Sequence, residues 1–352
     1  MPYSGIAWTS TGFEVAVLDE RGHQTEPPAR FAAGRVHEVT AYLLGLQAKY
    51  GATGQPLVNV IESTNGMLDG GLMSAGLQMY RADPWVLPPR PAFGSVTAEQ
   101  LAAVARDASA VVPLRIETGT LTGRIEQLLA GIAQSEEETE ALSQAGRCLR
   151  HGSREQPVVA LTFDDGPNPP YTGRILDVLD RYRVPATFFC VGLHALAHHE
   201  ELARMAAAGH QIANHTWSHP FLPDLSHGEL RAQLERTDEA IGEVVGGEGP
   251  RMFRPPYGSR TPEVLSWLTE HKATIALWDV EPFDWALPGP QEITRLVLEQ
   301  TRPGSVILLH DGGGDRSQTA EALPAVIEGL LARGYGFARL DELPPSHARP
   351  VQ

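Results

Sequence analysis

The chain has 352 residues, of which 42% are hydrophobic and 20% are charged, proportions typical of a soluble globular protein. Its formal charge of −15 argues against a large nucleic-acid-binding surface, because such a surface needs clustered Lys and Arg. The two cysteines, Cys148 and Cys190, are too few for a disulfide framework and are expected to stay reduced.

The first part of the chain predicts a smaller α/β domain with a helical linker, ending at residue 150. Its predicted elements are a strand at 12–19, a helix at 37–49, a strand at 56–61, a Pro-rich irregular segment at 84–91, a largely helical region at 97–130 with breaks near Pro113 and Thr118, and a solvated helix or linker at 134–146.

Strand and helix patterns alternate regularly from residue 156 onward. Seven strands are predicted, at 158–163, 186–191, 211–214, 252–254, 272–278, 305–309 and 336–340. Helix starts are indicated by a capping box at Ser226 and Glu229 and by an N-cap at Thr261 followed by Pro262. The alternation predicts a parallel sheet closed into a barrel, over a domain at 151–345, with a disordered tail at 346–352.

The start of the chain and its apolar segments are used to predict the cellular location of the protein. Residues 1–8 lack the basic segment and apolar core of a signal peptide, and no apolar run approaches the roughly eighteen residues of a membrane span. We therefore expect a cytoplasmic protein with no membrane partner. Lys occurs only at Lys49 and Lys272 while Arg is frequent, a bias typical of a bacterium with a GC-rich genome.

Adjacent carboxylates at Asp164 and Asp165, and imidazoles at His215 and His219, follow two of the predicted strands. One carboxylate with two histidines is a three-ligand set that suits Zn²⁺ and leaves a position open for water, while the other carboxylate is free to act as a base. Two histidines four residues apart are by themselves more often structural. Their place beside the Asp pair, at the carboxyl ends of barrel strands, favours a metal site.

Three more polar residues follow strands of the same barrel. His310 is a candidate acid for a departing amine, and Asp284 is placed to hold that imidazole protonated. Arg254 is a candidate to orient a neighbouring carboxylate and to lower its pKa. Each of these residues alone is more often structural, but their shared edge of the sheet favours a common site.

These residues lie in five segments that resemble, in order, the motifs of the polysaccharide deacetylases, the NodB-homology enzymes of carbohydrate esterase family 4. The segments are Thr162–Pro167, His215–His219, Arg254–Gly258, Asp284–Trp285 and Leu308–His310, and the resemblance covers about residues 157–343. It implies a distorted (β/α)7 barrel that uses one divalent metal, usually zinc.

The resemblance also implies a role for each site residue. It makes Asp164 the general base, Asp165, His215 and His219 the metal ligands, Arg254 the brace of Asp164, Asp284 the partner of the acid His310, the backbone N–H of Tyr257 an oxyanion donor, and Trp285 and Leu308 the lining of a pocket for the acetyl methyl group.

The beginning of the chain distantly resembles the RNase H-like domain of a transposase family, through Gly5–Trp8, residues 15–22 and Val60–Glu62. That fold opens with a strand bearing a catalytic Asp, where this chain has Ala7, so a two-metal nuclease site would lack a ligand. We expect a non-catalytic domain that binds substrate or a partner, or that self-associates into a homo-oligomer. The alternative is an α/β extension that covers barrel surface.

The sequence thus predicts a metal-dependent amide hydrolase, acting on carbon–nitrogen bonds other than peptide bonds. Its expected substrate is an N-acetylated amino sugar, as a small molecule or an oligosaccharide. One alternative keeps the fold and hydrolyses another linear or cyclic amide. An alternative of a different class is a non-catalytic binding scaffold. The complete ligand set argues against both.

Overall fold

The computed structural model describes residues 1–91, 93–114, 125–247, 249–271 and 274–346. The chain forms two compact units, one of Met1–Leu129 with Ser218–Gln233 and the other of Ala130–Trp217 with Leu234–Gln352. Contacts thus assign residues 130–150 to the second unit, whereas the sequence placed the boundary at 150. The reason is a short strand at Cys148–Leu149 that pairs within the second unit's sheet.

The first unit contains a mixed sheet with helices. Its elements are β1 (Tyr3–Thr9), β2 (Gly12–Leu18), β3 (Gln24–Ala32), α1 (Val36–Gly51), β4 (Val58–Glu62), α2 (Gly66–Ser74), β5 (Met79–Ala82), α3 (Ala98–Val104) and β6 (Val111–Pro113). The strand order is β3-β2-β1-β4-β5-β6, with β1, β4 and β5 parallel and β2 antiparallel to its neighbours. The predicted strands at 12–19 and 56–61 and the helix at 37–49 are confirmed.

One prediction for this unit is wrong. The region 97–130 was expected to be largely helical with a break near Pro113, but α3 ends at Val104 and residues 111–113 form β6, which pairs antiparallel with β5. Val111 and Val112 are β-branched and fit the pleated edge of the sheet, where pairing outweighs the surrounding helical pattern. The expected break near Thr118 lies outside the described residues. The segment 84–91 is irregular as predicted, apart from a 3₁₀ turn at Pro84–Val86.

Two helices, α4 (Ile125–Gln134) and α5 (Glu136–Gln144), precede the parallel sheet of the second unit. That sheet contains β7 (Cys148–Leu149), β8 (Val158–Asp164), β9 (Thr187–Cys190), β10 (Gln211–Asn214), β11 (Met252–Phe253), β12 (Thr274–Ala276), β13 (Val306–His310) and β14 (Gly336–Phe337). Its order is β13-β8-β9-β10-β11-β12-β7, with β14 also paired to β8. The curled sheet agrees with the predicted (β/α)7 fold, and β7 is the strand that the sequence did not predict.

The helices of the second half follow the predicted pattern. They are α6 (Tyr171–Tyr182), α7 (Gly192–Ala197), α8 (His199–Ala207), α9 (His227–Val245), α10 (Pro262–Glu270), α11 (Pro290–Gln300) and α12 (Ser317–Ala332). The capping box is present, because the Ser226 N–H donates to Glu229 Oε2 at 2.7 Å and the Glu229 N–H donates to Ser226 Oγ at 3.4 Å. Thr261 Oγ1 likewise accepts from the Val264 N–H at 3.2 Å.

Among the described residues, every helix is too short or too polar to cross a bilayer. The predicted disordered tail lies outside the described residues from 347 onward. Phe163, Phe188, Phe189 and Phe253 from β8, β9 and β11 are fully buried, so the sheet is well packed up to the strand ends. The polar residues of the site begin where these strands end, so the packed strands hold them in position.

Candidate active site

The two adjacent aspartates end β8 and separate because the chain turns sharply there. Asp164 is the last residue of the strand and is 3% exposed, whereas Asp165 has a φ of +75°, in the left-handed region. Gly166 follows because no side chain fits: a Cβ there would lie 2.0 Å from Asp311 Oδ2. The turn therefore gives two neighbouring carboxylates different directions and different partners.

Asp165, His215 and His219 form a candidate metal group, since one ligand atom from each lies within 4.8 Å of the others. His215 Nε2 lies 3.5 Å from Asp165 Oδ1 and 3.6 Å from Asp164 Oδ2. His215 Nδ1 lies 2.8 Å from the Arg254 carbonyl oxygen. A carbonyl only accepts, so Nδ1 carries the proton and the lone pair of Nε2 faces the carboxylates. This donor set and tautomer fit a divalent metal.

Arg254 holds the other carboxylate. Its side chain is fully buried, and Nη1 donates to Asp164 Oδ1 at 2.7 Å and to Thr162 Oγ1 at 2.8 Å. The guanidinium also stacks 4.0 Å from the centre of the Phe189 ring. Burial lowers the pKa of Arg254, while the charge of Asp164 acts in the opposite direction. The arginine thus fixes one oxygen of Asp164 and leaves the other facing His215.

His310 and Asp284 form a buried ion pair. His310 Nδ1 lies 2.7 Å from Asp284 Oδ1, and the His310 backbone N–H donates to Asp284 Oδ2 at 2.9 Å. Thr319 Oγ1 donates to the same Oδ2 at 2.8 Å. Burial alone would lower the pKa of His310, but the attraction of Asp284 outweighs it and raises that pKa to about 9. Burial would likewise raise the pKa of Asp284, but His310 outweighs it and the pKa is lowered.

The three residues expected to contact the substrate lie after β11, just before α11, and within β13. Tyr257 has φ +60° and ψ +6°, a conformation rare for a residue with a side chain and often found at functional sites. Trp285 is half-buried, and its Nε1 donates to Glu281 Oε1 at 3.4 Å. Leu308 is 3% exposed in β13, two residues before His310.

Two buried residues that sequence reasoning missed support the Asp165 turn. His194 Nδ1 lies 2.6 Å from the Asp165 carbonyl oxygen, so it carries a proton and donates. Asp311 donates its N–H to the Asp164 carbonyl at 3.0 Å and accepts from Thr172 Oγ1 at 2.5 Å, and burial raises its pKa to about 7. Asp311 directly follows β13, and this position was the signal that could have identified it, whereas His194 lies within α7, four residues after the end of β9.

The first unit contains a polar group of its own at the ends of β1 and β4. Ala7 lies in β1, and Glu62 ends β4 with no exposed surface. Trp8 Nε1 donates to Thr64 Oγ1 at 2.9 Å, and Thr64 Oγ1 donates to Glu62. Burial raises the pKa of Glu62 to about 7. Within the described parts of the chain, the Asp165 group is the only candidate metal cluster, and the RNase H-like resemblance stays a prediction.

Comparison with protein families places the second unit among known enzymes. The polysaccharide deacetylase family model matches residues 151–276. A chitooligosaccharide deacetylase of Bradyrhizobium sp. (strain ANU 289) is 42% identical over 198 residues, covering 53% of this chain and 90% of that protein. A peptidoglycan-N-acetylglucosamine deacetylase of Bacillus cereus is 39% identical over 193 residues, covering 54% of this chain and 70% of that protein.

Solved structures agree on the fold. The Bc1960 peptidoglycan N-acetylglucosamine deacetylase superposes with a TM-score of 0.56 at 35% identity, covering 60% of this chain and 98% of that one. The wild-type BA3943 protein of Bacillus anthracis, described as a pseudoenzyme, superposes with a TM-score of 0.53 at 27% identity, covering 61% of this chain and 80% of that one. The fold is thus shared by proteins with and without activity. Whether this chain is active therefore has to be inferred from its site residues.

Proposed function

Because this chain belongs to the polysaccharide deacetylase family, we propose that it removes the acetyl group from an N-acetylated amino sugar by metal-dependent hydrolysis. The observation that carries this proposal is the meeting of the Asp165, His215 and His219 ligand atoms within 4.8 Å, with Asp164 beside them. A scaffold without catalysis would have no need for a buried carboxylate held by a fully buried arginine at such a cluster, because burying charges is costly.

The metal proposed for this cluster is Zn²⁺, which one carboxylate and two imidazoles suit. When bound, the metal would polarise the acetyl carbonyl and lower the pKa of water. His215 would bind through Nε2, since its Nδ1 hydrogen is bonded to the Arg254 carbonyl. The carboxylate of Asp165 and the His219 imidazole would complete the protein's share of the ligands.

Asp164 is proposed as the general base. Arg254 and Thr162 keep it oriented, with the guanidinium 2.7 Å from one carboxylate oxygen. The base takes a proton from the attacking water as the new C–O bond forms at the acetyl carbon. The backbone N–H of Tyr257 donates to the oxygen of the tetrahedral intermediate, a contribution of about 3 kcal/mol for a typical donor of this kind.

His310 is proposed as the general acid. Its ion pair with Asp284 keeps the imidazole protonated at neutral pH, so it can give a proton to the amine as the C–N bond breaks. Trp285 and Leu308 line the site for the acetyl methyl group. The products are acetate and a free amino sugar; Asp164 releases its proton to solvent and His310 takes one up from solvent.

The test is acetate release by the full chain from N-acetylglucosamine oligosaccharides, measured with and without a chelator, together with metal analysis of the purified protein. We expect near-stoichiometric metal and release that the chelator stops. Release from another linear or cyclic amide in place of the sugars would favour the alternative hydrolase. Absence of both metal and release would favour a binding scaffold.

Three further expectations stay predictions, and two of them have a direct test. The first unit is proposed as a non-catalytic domain for substrate, partner or self-association, and light scattering of the purified chain would reveal a homo-oligomer. The cytoplasmic location and the bacterial, GC-rich source are predictions from the sequence. Cell fractionation would test the former.

A further inference from the structure

A groove of about 450 Å³ lies in the second unit and is lined in part by Tyr257, one of the residues expected to contact the substrate. Its walls come from residues that follow the carboxyl ends of three neighbouring strands: Arg150 after β7, Tyr257 and Arg260 after β11, and Trp278 after β12. Strands β11, β12 and β7 are parallel and adjacent. The carboxyl ends of parallel strands share one edge of a sheet, where α/β proteins place their ligands.

The Arg254 side chain separates Trp278, in the wall of the groove, from the proposed general base Asp164. The ring of Trp278 has its centre 5.6 Å from the guanidinium carbon of Arg254, which holds Asp164. Gly258 packs directly on that ring, since a Cβ there would lie 3.0 Å from it. Tyr257, which donates the proposed oxyanion hydrogen bond from its backbone, lines the groove with its neighbours. An amino sugar whose acetyl oxygen accepts from the Tyr257 N–H would therefore lie close to these side chains.

Arg260 brings an uncompensated positive charge into the groove. The residue is 6% exposed, and its Nη1 donates to the Gly258 carbonyl at 2.8 Å. Its Nε is buried without a hydrogen-bond partner, and no carboxylate of the described residues lies within ion-pair distance of it. Burial, and then the nearby charge of Arg150, lower the pKa of Arg260. Such a buried, unpaired charge is costly unless a ligand compensates it.

The other charges around the groove are already satisfied or face solvent. Arg150 makes two hydrogen bonds to Glu136, at 2.7 and 2.6 Å. Asp279 is paired with Arg154 at 2.7 Å. Glu140 lines the groove but is exposed, and accepts from Gln144 Nε2. Among the described residues that line the groove, the guanidinium of Arg260 is thus the unmatched charge, and it suits an anion with two acceptor oxygens.

We propose that this groove binds an anionic substituent, a phosphate or a carboxylate, of the N-acetyl amino sugar. The inference rests on the proposed function for the placement of the sugar, while anion binding by Arg260 in the groove does not depend on that function. It deepens that function by making a charged amino sugar, instead of a neutral chitooligosaccharide, the preferred substrate. The structural alternative is that Arg260 only stabilises the turn at Gly258.

Direct binding to the full chain tests the proposal without requiring turnover. Calorimetry would compare the binding of N-acetylglucosamine with that of N-acetylglucosamine 1-phosphate and of N-acetylmuramic acid. The second ligand carries a phosphate and the third a carboxylate, so the comparison distinguishes the two kinds of anion. Wild type should bind at least one of the charged ligands about ten-fold or more tightly than the neutral one, as expected for a charge-assisted hydrogen bond. Equal affinities for all three ligands would overturn the proposal.

Variants then decide whether Arg260 is responsible. Arg260→Gln should lower the ratio of charged to neutral affinity about ten-fold, whereas the exposed control Arg204→Gln, which removes an ion pair with Asp177, should leave that ratio unchanged. An unchanged ratio in a folded Arg260→Gln variant would show a structural role only. If that variant does not fold, Ser143→Asp adds a negative charge to the groove wall and should lower the same ratio.

The two proposals fail in different ways. No acetate from any amino sugar, with the binding preference intact, would refute the deacetylase function and retain the anion site. Acetate release at equal efficiency from charged and neutral sugars, with equal affinities, would refute the anion site and retain the deacetylase.

Discussion

Replacing Asp284 with Asn should move the pH dependence of the enzyme by removing the charge that keeps His310 protonated. The substitution preserves the size of the side chain and one oxygen that can accept from His310 Nδ1, 2.7 Å away in the native pair. What is lost is the negative charge. The imidazole then experiences mainly the effect of burial, which lowers its pKa.

The magnitude follows from the raised pKa of about 9 for His310 against its ordinary value of 6.5. The difference corresponds to about 3 kcal/mol at roughly 1.4 kcal/mol per pH unit. At pH 7.5 the native imidazole is almost entirely protonated, whereas in Asp284→Asn at most about a tenth of the molecules carry the proton. We therefore expect kcat/KM to fall at least about ten-fold at pH 7.5 and about a hundred-fold at pH 8.5.

The assay is acetate release by the metal-loaded enzyme between pH 5.5 and 10. The basic limb of the kcat/KM profile should lie near pH 9 for wild type and below about pH 6.5 for Asp284→Asn, because this limb reports the acid of the free enzyme. Thr319→Val is the matched control, since it removes only an uncharged donor to the same carboxylate, at 2.8 Å, and should move the basic limb by less than about one pH unit. A variant limb that stays near pH 9 would refute Asp284 as the source of the protonated acid.

The remaining four predictions concern the base, the metal, the turn at Gly166 and the His310 proton. Asp164→Asn should lower kcat by about 10² to 10⁴ with metal content unchanged, and loss of the metal would contradict its role as base. His215→Ala should lose both metal and activity, whereas chelated wild type should recover when Zn²⁺ is returned; activity in the metal-free protein would refute the metal's role. Gly166→Ala should unfold more easily by about 1–3 kcal/mol in urea, because its Cβ would overlap Asp311, while Gly228→Ala in α9, with nothing within 4 Å, should be neutral or slightly stabilising; equal effects would contradict the packing argument. Wild-type stability should fall as pH rises from 6.5 through about 9, since the folded state holds the His310 proton more tightly than the unfolded chain; a flat urea-unfolding profile, or the same slope in Asp284→Asn, would refute this linkage.

The strands of the second unit were predictable because their apolar runs are continuous and each ends at a turn. The two-residue strand β7 was not, since two residues have no periodicity and form a strand only by pairing with β12. The same holds for β6 in the first unit. Its β-branched residues lie in a helical context, and pairing with β5 decides their conformation.

The residue types of the site, and their place at one edge of the sheet, could be predicted because parallel strands bring their carboxyl ends together. The sequence therefore identified Asp164, Asp165, His215 and His310 as candidates before any distance was known. It could not identify His194 as a support of the Asp165 turn, because an isolated histidine after a strand has many possible environments. Its 2.6 Å contact with a backbone oxygen exists only once β8 and α7 have packed.

By itself the sequence determined which chemical groups are present and in what order: a carboxylate pair, a histidine pair, an arginine, and a second Asp with a histidine. The tertiary structure decided which oxygen each group contacts, which histidine nitrogen is free and which charge is unmatched. Arg254 and Arg260 differ by six positions, yet one is paired with Asp164 and the other has no carboxylate partner in the described part of the chain. That difference arises from long-range packing, which places β8 beside one arginine and an open groove beside the other.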